Sequence, residues 1–330
     1  CRYPEAIANF KEALARNSDD PAIWLSYGIA QSLQQEYTAA MESYDRAIEI
    51  NANYDPAWYE RGNALAALGR HESAIVYFDR VMEIVPNFHP AIQAKGQSLF
   101  KLHRYPEAIA SYDLALELEP NRSDLWCQRG DAYTHLAQWE VALNSYQKAL
   151  NIDATSVSAW YAQGKTLRQL QQYPAALDSY DRALKFNPEH SYPIWIDRGL
   201  ILAQMGDSAA AISSYRQAIE VQPDDHPAWC NLAKELTRIE DIAGAVVAYE
   251  RAIDFQPQDP DLWDELGNLL WQLDRLTEAV NAYEQVTNLQ PDQDEAWDRQ
   301  GQILQQLQEW ERANLCYERV AALIDTSYEL

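Results

Sequence analysis

The chain has 330 residues, 50 of them acidic and 26 basic, for a formal charge of −24, and 47% are apolar and 11% aromatic. That much apolar matter builds a core and excludes a disordered chain. The charge opposes phosphate backbones and anionic lipid, which excludes nucleic acid and membrane surfaces as partners. No apolar run approaches the ~20 residues of a membrane helix, and the start lacks a basic stretch followed by an apolar one. Four cysteines, Cys1, Cys127, Cys230 and Cys316, are too far apart for a disulfide framework or a paired metal site. The expected setting is cytoplasmic.

In chain order, residues 1–20 read as the second helix of a truncated copy, and from residue 21 a period of 34 takes over. Tryptophan recurs at 24, 58, 126, 160, 195, 229, 263 and 297, and Ile92 fills the ninth slot. Four residues later stands glycine (Gly28, Gly62, Gly96, Gly130, Gly164, Gly199, Gly267, Gly301) or, once, Ala233. Sixteen residues after the tryptophan slot comes alanine (Ala40 to Ala313), then four further on Tyr44, Phe78, Tyr112, Tyr146, Tyr180, Tyr215, Tyr249, Tyr283 or Tyr317. Offsets of 0, 4 and 7, as in Trp58, Gly62 and Leu65, lie on one helical face, and Ala74, Phe78 and Val81 do the same on a second helix. Each copy is therefore expected to be a helical hairpin, with Gly62 and Ala74 letting the helices approach while the rings fill the flanking volume. Pro21, Pro56, Pro90, Pro193, Pro227 and Pro260 open first helices, Pro4, Pro106 and Pro174 open second helices, and Pro86, Pro120, Pro188, Pro223, Pro257 and Pro291 follow second helices.

The pattern W-x2-[LYRKQ]-G-x2-[LYQ], followed by A, [YF], A and P, resembles the tetratricopeptide repeat family. The likeness covers nine copies (21–54, 55–88, 89–122, 123–156, 157–190, 192–225, 226–259, 260–293 and 294–327), with Ser191 inserted and Tyr328, Glu329 and Leu330 as a tail. The phrasing of residues 57–88 is similar to arrays in bacterial, particularly cyanobacterial, multidomain proteins. The resemblance implies an all-α solenoid, a right-handed superhelix of helix-turn-helix repeats with first helices lining a concave groove and second helices the back. A hairpin with two apolar faces buries them only by stacking on neighbours, so one cooperative body is expected. The half-copy at the start and the bare last repeat look like a fragment of a longer protein, with apolar end faces including Leu315, Val320 and Leu323 ready for end-to-end self-association.

Nothing in the sequence assembles a reaction or a cofactor site. The histidines do not cluster with a nucleophile: His89, His190 and His226 fall at repeat junctions, His71 and His103 in the turns between helices, and His135 on a groove-side helix. GxxxxGK[ST] and GxGxxG are absent. Cys127 and Cys230 occupy one slot three repeats apart, too distant to share a metal. Asp45, Asp79, Asp113 and Asp181 share a slot on the second helix, and Arg61, Lys95, Arg129 and Arg198 one on the first, which reads as polar ladders between helices. No catalytic residue, metal or cofactor is expected.

Function then lies in the slots that vary. By the resemblance these face the groove and include Tyr59, Asn63, Phe100, Asp131, His135, Tyr161, Lys165, Arg168, Ile196, Leu200, Asn231, Lys234, Arg238 and Trp271. Lys165, Arg168, Lys234 and Arg238 bracket Ile196 and Leu200, suiting a peptide with acidic residues around an apolar anchor. Tyr59, Phe100, Tyr161 and Trp271 are aromatic anchor candidates not needed to fill the repeat core. The expected function is a non-catalytic scaffold that holds a protein or peptide partner in the groove. The alternative is a sensor or autoregulatory arm of a larger kinase, nucleotide hydrolase, protease or glycosyltransferase.

Overall fold

The computed structural model describes the backbone of residues 3–186 and 191–327 and the side chains of 4–186 and 191–324, so that Cys1, Pro188, His190 and the tail Tyr328, Glu329 and Leu330 lie outside it. The described residues form nineteen α-helices and no strand. They fall into two compact units, residues 1–183 and 184–330.

In the first unit, α1 (Tyr3–Arg16) precedes the hairpins α2 (Pro21–Leu33) with α3 (Tyr37–Ile50), α4 (Asp55–Ala67) with α5 (His71–Ile84), α6 (His89–Lys101) with α7 (Tyr105–Leu118), and α8 (Ser123–His135) with α9 (Trp139–Ile152). It closes with α10 (Val157–Gln169) and α11 (Tyr173–Phe186), whose residues 184–186 belong to the second unit. There, α12 (Tyr192–Gln204) pairs with α13 (Ser208–Val221), α14 (His226–Arg238) with α15 (Ile242–Phe255), α16 (Pro260–Gln272) with α17 (Leu276–Leu289), and α18 (Asp294–Gln306) with α19 (Trp310–Ser327). Each unit is a solenoid of stacked helical hairpins, every second helix packing on the first helix of its own repeat and of the next one in that unit.

Prolines stand at the first or second position of α2, α4, α6, α12, α14 and α16, where a missing N–H costs nothing. The Asp225 and Asp207 side chains accept from the backbone N–H of Ala228 and Ala210 at 2.8 and 3.1 Å, capping α14 and α13. His71 is the first residue of α5 rather than part of the turn before it.

The glycine slot is small for a different reason from the one expected. A Cβ built on Gly28 would meet the Tyr44 ring at 2.5 Å, and one on Gly62 the Phe78 ring at 2.6 Å. The glycine makes room for the aromatic side chain of its own hairpin partner, and Tyr44, Phe78, Tyr112, Tyr146, Tyr180, Tyr215 and Tyr283 are buried against it, while Tyr249 is buried opposite Ala233.

The tryptophans of the repeating slot do more than fill volume: all but the buried Trp160 sit half-buried at the repeat junction, and they bind backbone there. The indole N–H donates to the carbonyl oxygen six residues upstream: Trp58 to Ala52 at 3.0 Å, Trp126 to Pro120, Trp229 to Pro223 and Trp263 to Pro257 at 2.9 Å. Each ring thereby fastens the linker that enters its own repeat and satisfies an otherwise free carbonyl. The polar ladders also form: Arg61 binds Asp45, and Lys95 with Asp79 and Arg129 with Asp113 stand at 2.6 Å, each joining a first helix to the second helix of the preceding repeat.

One regularity has no sequence signature. Eleven residues after each tryptophan slot the backbone turns left-handed, at Gly69 and Gly206 but also at Gln35, His103, Ala137, Gln171, Glu240, Asp274 and Gln308, with φ between 55° and 83°. That residue reverses the chain between the two helices of every copy.

Candidate functional site

In the first unit the variable slots converge between α8 and α10. Two adjoining cavities of about 440 and 530 Å³ share Asp131, Ser158 and Ala162, forming one trough along the two helices. Toward the helix C-termini the trough is walled by His135, Trp139, Tyr161, Lys165 and Gln169. Toward the N-termini it is lined by Asp124, Cys127, Gln128 and Asp153.

Asp131 is the pivot. Its position five residues after Trp126 brings its carboxylate to the hydroxyl of Tyr146, which donates to it at 2.7 Å. Burial raises the carboxyl pKa above its ordinary 3.8, and the Tyr146 hydrogen bond with the nearby charges of His135 and Lys165 opposes that shift. The other carboxylates of the trough are already engaged. Asp124 is held by Arg122 at 2.7 and 2.8 Å, and Asp153 accepts from the backbone N–H and hydroxyl of Thr155 at 2.9 and 2.6 Å.

The walls are aromatic. Lys165 Nζ lies 5.4 Å from the Tyr161 ring centre, a cation–π contact. His135, although exposed, is stacked on Tyr105 with centroids 4.6 Å apart and planes 6° from parallel, and Phe100 meets its edge at 5.2 Å. The Cys127 thiol is pushed up to about 12, chiefly by burial, which keeps it protonated and unreactive at neutral pH.

The expected site residues scatter. Tyr161, Lys165 and Arg168 lie on α10, and of these Tyr161 and Lys165 line the trough. Tyr59, Phe100 and Tyr161 correct an expectation: all three pack against core residues, Tyr59 on Phe78 and Phe88 with centroids 6.1 and 5.3 Å apart, Phe100 on Tyr105 at 5.4 Å, and Tyr161 on the buried Tyr180 at 5.9 Å. The first-helix slot leans far enough over the turn to reach the neighbouring repeat, so these rings serve packing as well as surface. Asn63 donates to Glu60 at 3.4 Å, and burial raises the Glu60 carboxyl pKa.

In the second unit, Asn231 and Lys234 line a cavity of about 470 Å³ between α14 and α16, together with Cys230, Tyr249, Asp261 and Glu265. Its Asp264 is taken by Arg299, with both oxygens at 2.9 Å. Arg238 is engaged within its own unit: it donates to the Ala203 carbonyl at 2.9 Å and pairs with the buried Glu235 at 3.2 Å. Ile196 is half-buried on α12, and Leu200 is 36% exposed. Trp271 donates from its indole to Gln306 in the next repeat at 3.4 Å. Among the described residues no helix is long and apolar enough to cross a membrane, and no group of three histidine, cysteine or carboxylate side chains stands as a metal cluster.

Models described as "Tetratricopeptide repeat" match residues 2–56, 196–260, 56–88, 157–190, 236–303 and 90–122, and one described as "TPR repeat" matches 130–167. The chain belongs to the tetratricopeptide repeat family. Comparison with curated proteins gave no match. Among solved structures, the chain is similar to YrrB, described as a TPR protein with an unusual peptide-binding site, at 23% identity over 57% of this chain and 96% of that one, TM-score 0.49. It is also similar to a tetratricopeptide repeat protein from Parabacteroides merdae, at 20% identity over 71% and 93%, TM-score 0.50, and to PilF of Pseudomonas aeruginosa, at 18% over 62% and 92%, TM-score 0.50. These likenesses concern the fold.

Proposed function

We propose that this protein is a non-catalytic scaffold that binds a peptide or protein segment along the exposed surface of its first helices. The observation that carries the proposal is the trough between α8 and α10, a concave, aromatic-walled site with a few converging polar groups, lined largely by slots that vary from copy to copy. In the first unit Tyr161 is the aromatic anchor, and Lys165 and Arg168 meet acidic residues of a partner; in the second unit, taken by itself, Trp271, Ile196 and Leu200 offer an aromatic and apolar surface with Lys234, while Arg238 is already held by Glu235 and the Ala203 carbonyl. Tyr59, Asn63 and Phe100 belong to the first-helix surface of the first unit, and Asn231 to that of the second. Membership of a family of interaction scaffolds supports this reading.

The test is selection from a displayed random peptide library on the full chain, followed by affinity measurement on variants of equal helicity. Tyr161→Ser is expected to weaken peptides held by the first unit, and Trp271→Ser those held by the second. Val76→Ser, on a second helix where Val76 is 64% exposed, is expected to leave them unchanged. Peptides lost with Val76→Ser and kept by both first-helix variants would place binding on the other face and overturn the proposal.

A second reading is favoured by Leu315, which stands 65% exposed on α19. End-to-end self-association through that helix would give a mass that rises with concentration in light scattering and falls back to the monomer in Leu315→Asp. A constant monomer mass would refute it.

A further inference from the structure

Asp131 carries a charge that its structural task does not require. The same task is performed elsewhere in the chain by a neutral residue. Asn268 occupies the equivalent slot five residues after Trp263, and the Tyr283 hydroxyl donates to its side-chain oxygen at 2.8 Å, just as Tyr146 donates to Asp131 at 2.7 Å. An amide therefore satisfies the buried tyrosine fully. A carboxylate at this position adds only a negative charge, and burial makes that charge costly to keep.

The charge also lacks a full counterpart. Lys165 and His135 line the same cavity and act on Asp131 through space, but among the described residues no ion pair joins either of them to it. Tyr146 engages one carboxylate oxygen, Oδ1, and the cavities on both sides of the residue open onto it. The neighbouring anions do not compete for a ligand, since Arg122 holds Asp124 and Thr155 occupies Asp153. The rings of Trp139 and Tyr161 line the cavity and supply an aromatic wall of the kind on which a guanidinium or a lysine stem packs. A chain of net charge −24 concentrates cationic partners around it.

We infer that the trough between α8 and α10 receives a basic side chain, arginine or lysine, of an extended partner segment, with its cationic head on Asp131 and its stem against Tyr161 and Trp139. The inference rests on the scaffold reading and specifies the partner's chemistry at one place. It requires no charge of its own from the rest of the segment, so acidic residues of the same partner remain free to meet Lys165.

The experiment is a double-mutant cycle on peptides selected from the random library with the full chain. Asp131→Asn keeps the Tyr146 bond in the form already seen at Asn268, so it is expected to fold with unchanged helicity. Selected peptides are expected to share a lysine or arginine, and replacing it with glutamine to weaken binding to the native chain by about tenfold or more. On Asp131→Asn the same replacement is expected to change nothing, which isolates the coupling between the two groups. Selected peptides without a common basic residue, or a basic residue whose replacement costs the same on both chains, would overturn the inference and leave the scaffold reading in place. Failure to select any peptide would overturn both.

Discussion

Tyr146 donates its hydroxyl to the Asp131 carboxylate at 2.7 Å, and this bond joins the repeat's packing to the proposed binding surface. The tyrosine belongs to the aromatic slot that every copy fills, while the aspartate belongs to a slot that differs from copy to copy. A core residue thus fixes the orientation of a surface one.

Two variants separate the parts of that pair. Tyr146→Phe leaves the Asp131 carboxylate without its donor in a partly buried place and is expected to cost about 1–3 kcal/mol of stability in chemical denaturation. Asp131→Asn keeps a hydrogen-bond acceptor and removes the buried charge, so it is expected to match or exceed the native chain at neutral pH. Because burial raises the folded-state pKa of Asp131 above 3.8, the folded protein holds its proton more tightly than the unfolded one, and ionisation destabilises it as pH rises through that interval. The native chain is therefore expected to lose ground to Asp131→Asn as the pH rises from acid, through the ordinary carboxylate range and beyond it. An advantage for the native chain that grows with pH would contradict this.

The glycine slots are not equally tight. A Cβ on Gly28 would stand 2.5 Å from the Tyr44 ring, whereas one on Gly267 would stand 3.0 Å from the Tyr283 ring. Gly28→Ala is expected to destabilise by about 1–3 kcal/mol through overpacking. Gly267→Ala is expected to come out near neutral, because alanine regains about 1 kcal/mol of helix propensity. Ala233, which natively fills the equivalent slot of the seventh copy with Tyr249 still buried, shows that a methyl can be accommodated. Thermal melts of the two variants check the order.

Ala137 holds φ at 55° in the turn between α8 and α9, where Gly69 and Gly206 stand in other copies. Left-handed backbone costs a residue with a Cβ about 1–2 kcal/mol. Ala137→Gly is expected to stabilise by about 1 kcal/mol despite the larger entropy of glycine in the unfolded chain, as measured by the midpoint of urea unfolding. A loss of stability would mean that the turn is not strained.

The hairpins were legible in the sequence because packing repeats: a tryptophan, a glycine and an aromatic at fixed offsets leave one helical face after another. The left-handed turn was not, since Gln35, Glu240 and Gln308 carry no sign of the backbone they adopt. Nor was the tryptophan's bond to its linker, because its acceptor is a main-chain carbonyl that any residue supplies. At the site, periodicity put Tyr59 and Phe100 on the surface of the first helix but could not tell how far their rings lean onto the neighbouring core. Asp131 stands among the variable slots, where residue type alone does not show that a buried tyrosine hydroxyl reaches it. The signal that marks it is a carboxylate fifteen residues before the aromatic slot, where the chain elsewhere places Asn268.

The most direct test of the scaffold account is where a bound peptide lies. A photo-cross-linking residue placed at Gln169, which lines the trough on α10, and separately at exposed Val76 on α5, should be irradiated with the tightest peptide from the library. The account predicts a covalent adduct from position 169 that excess unlabelled peptide suppresses, and none from position 76. An adduct from position 76 alone would contradict it.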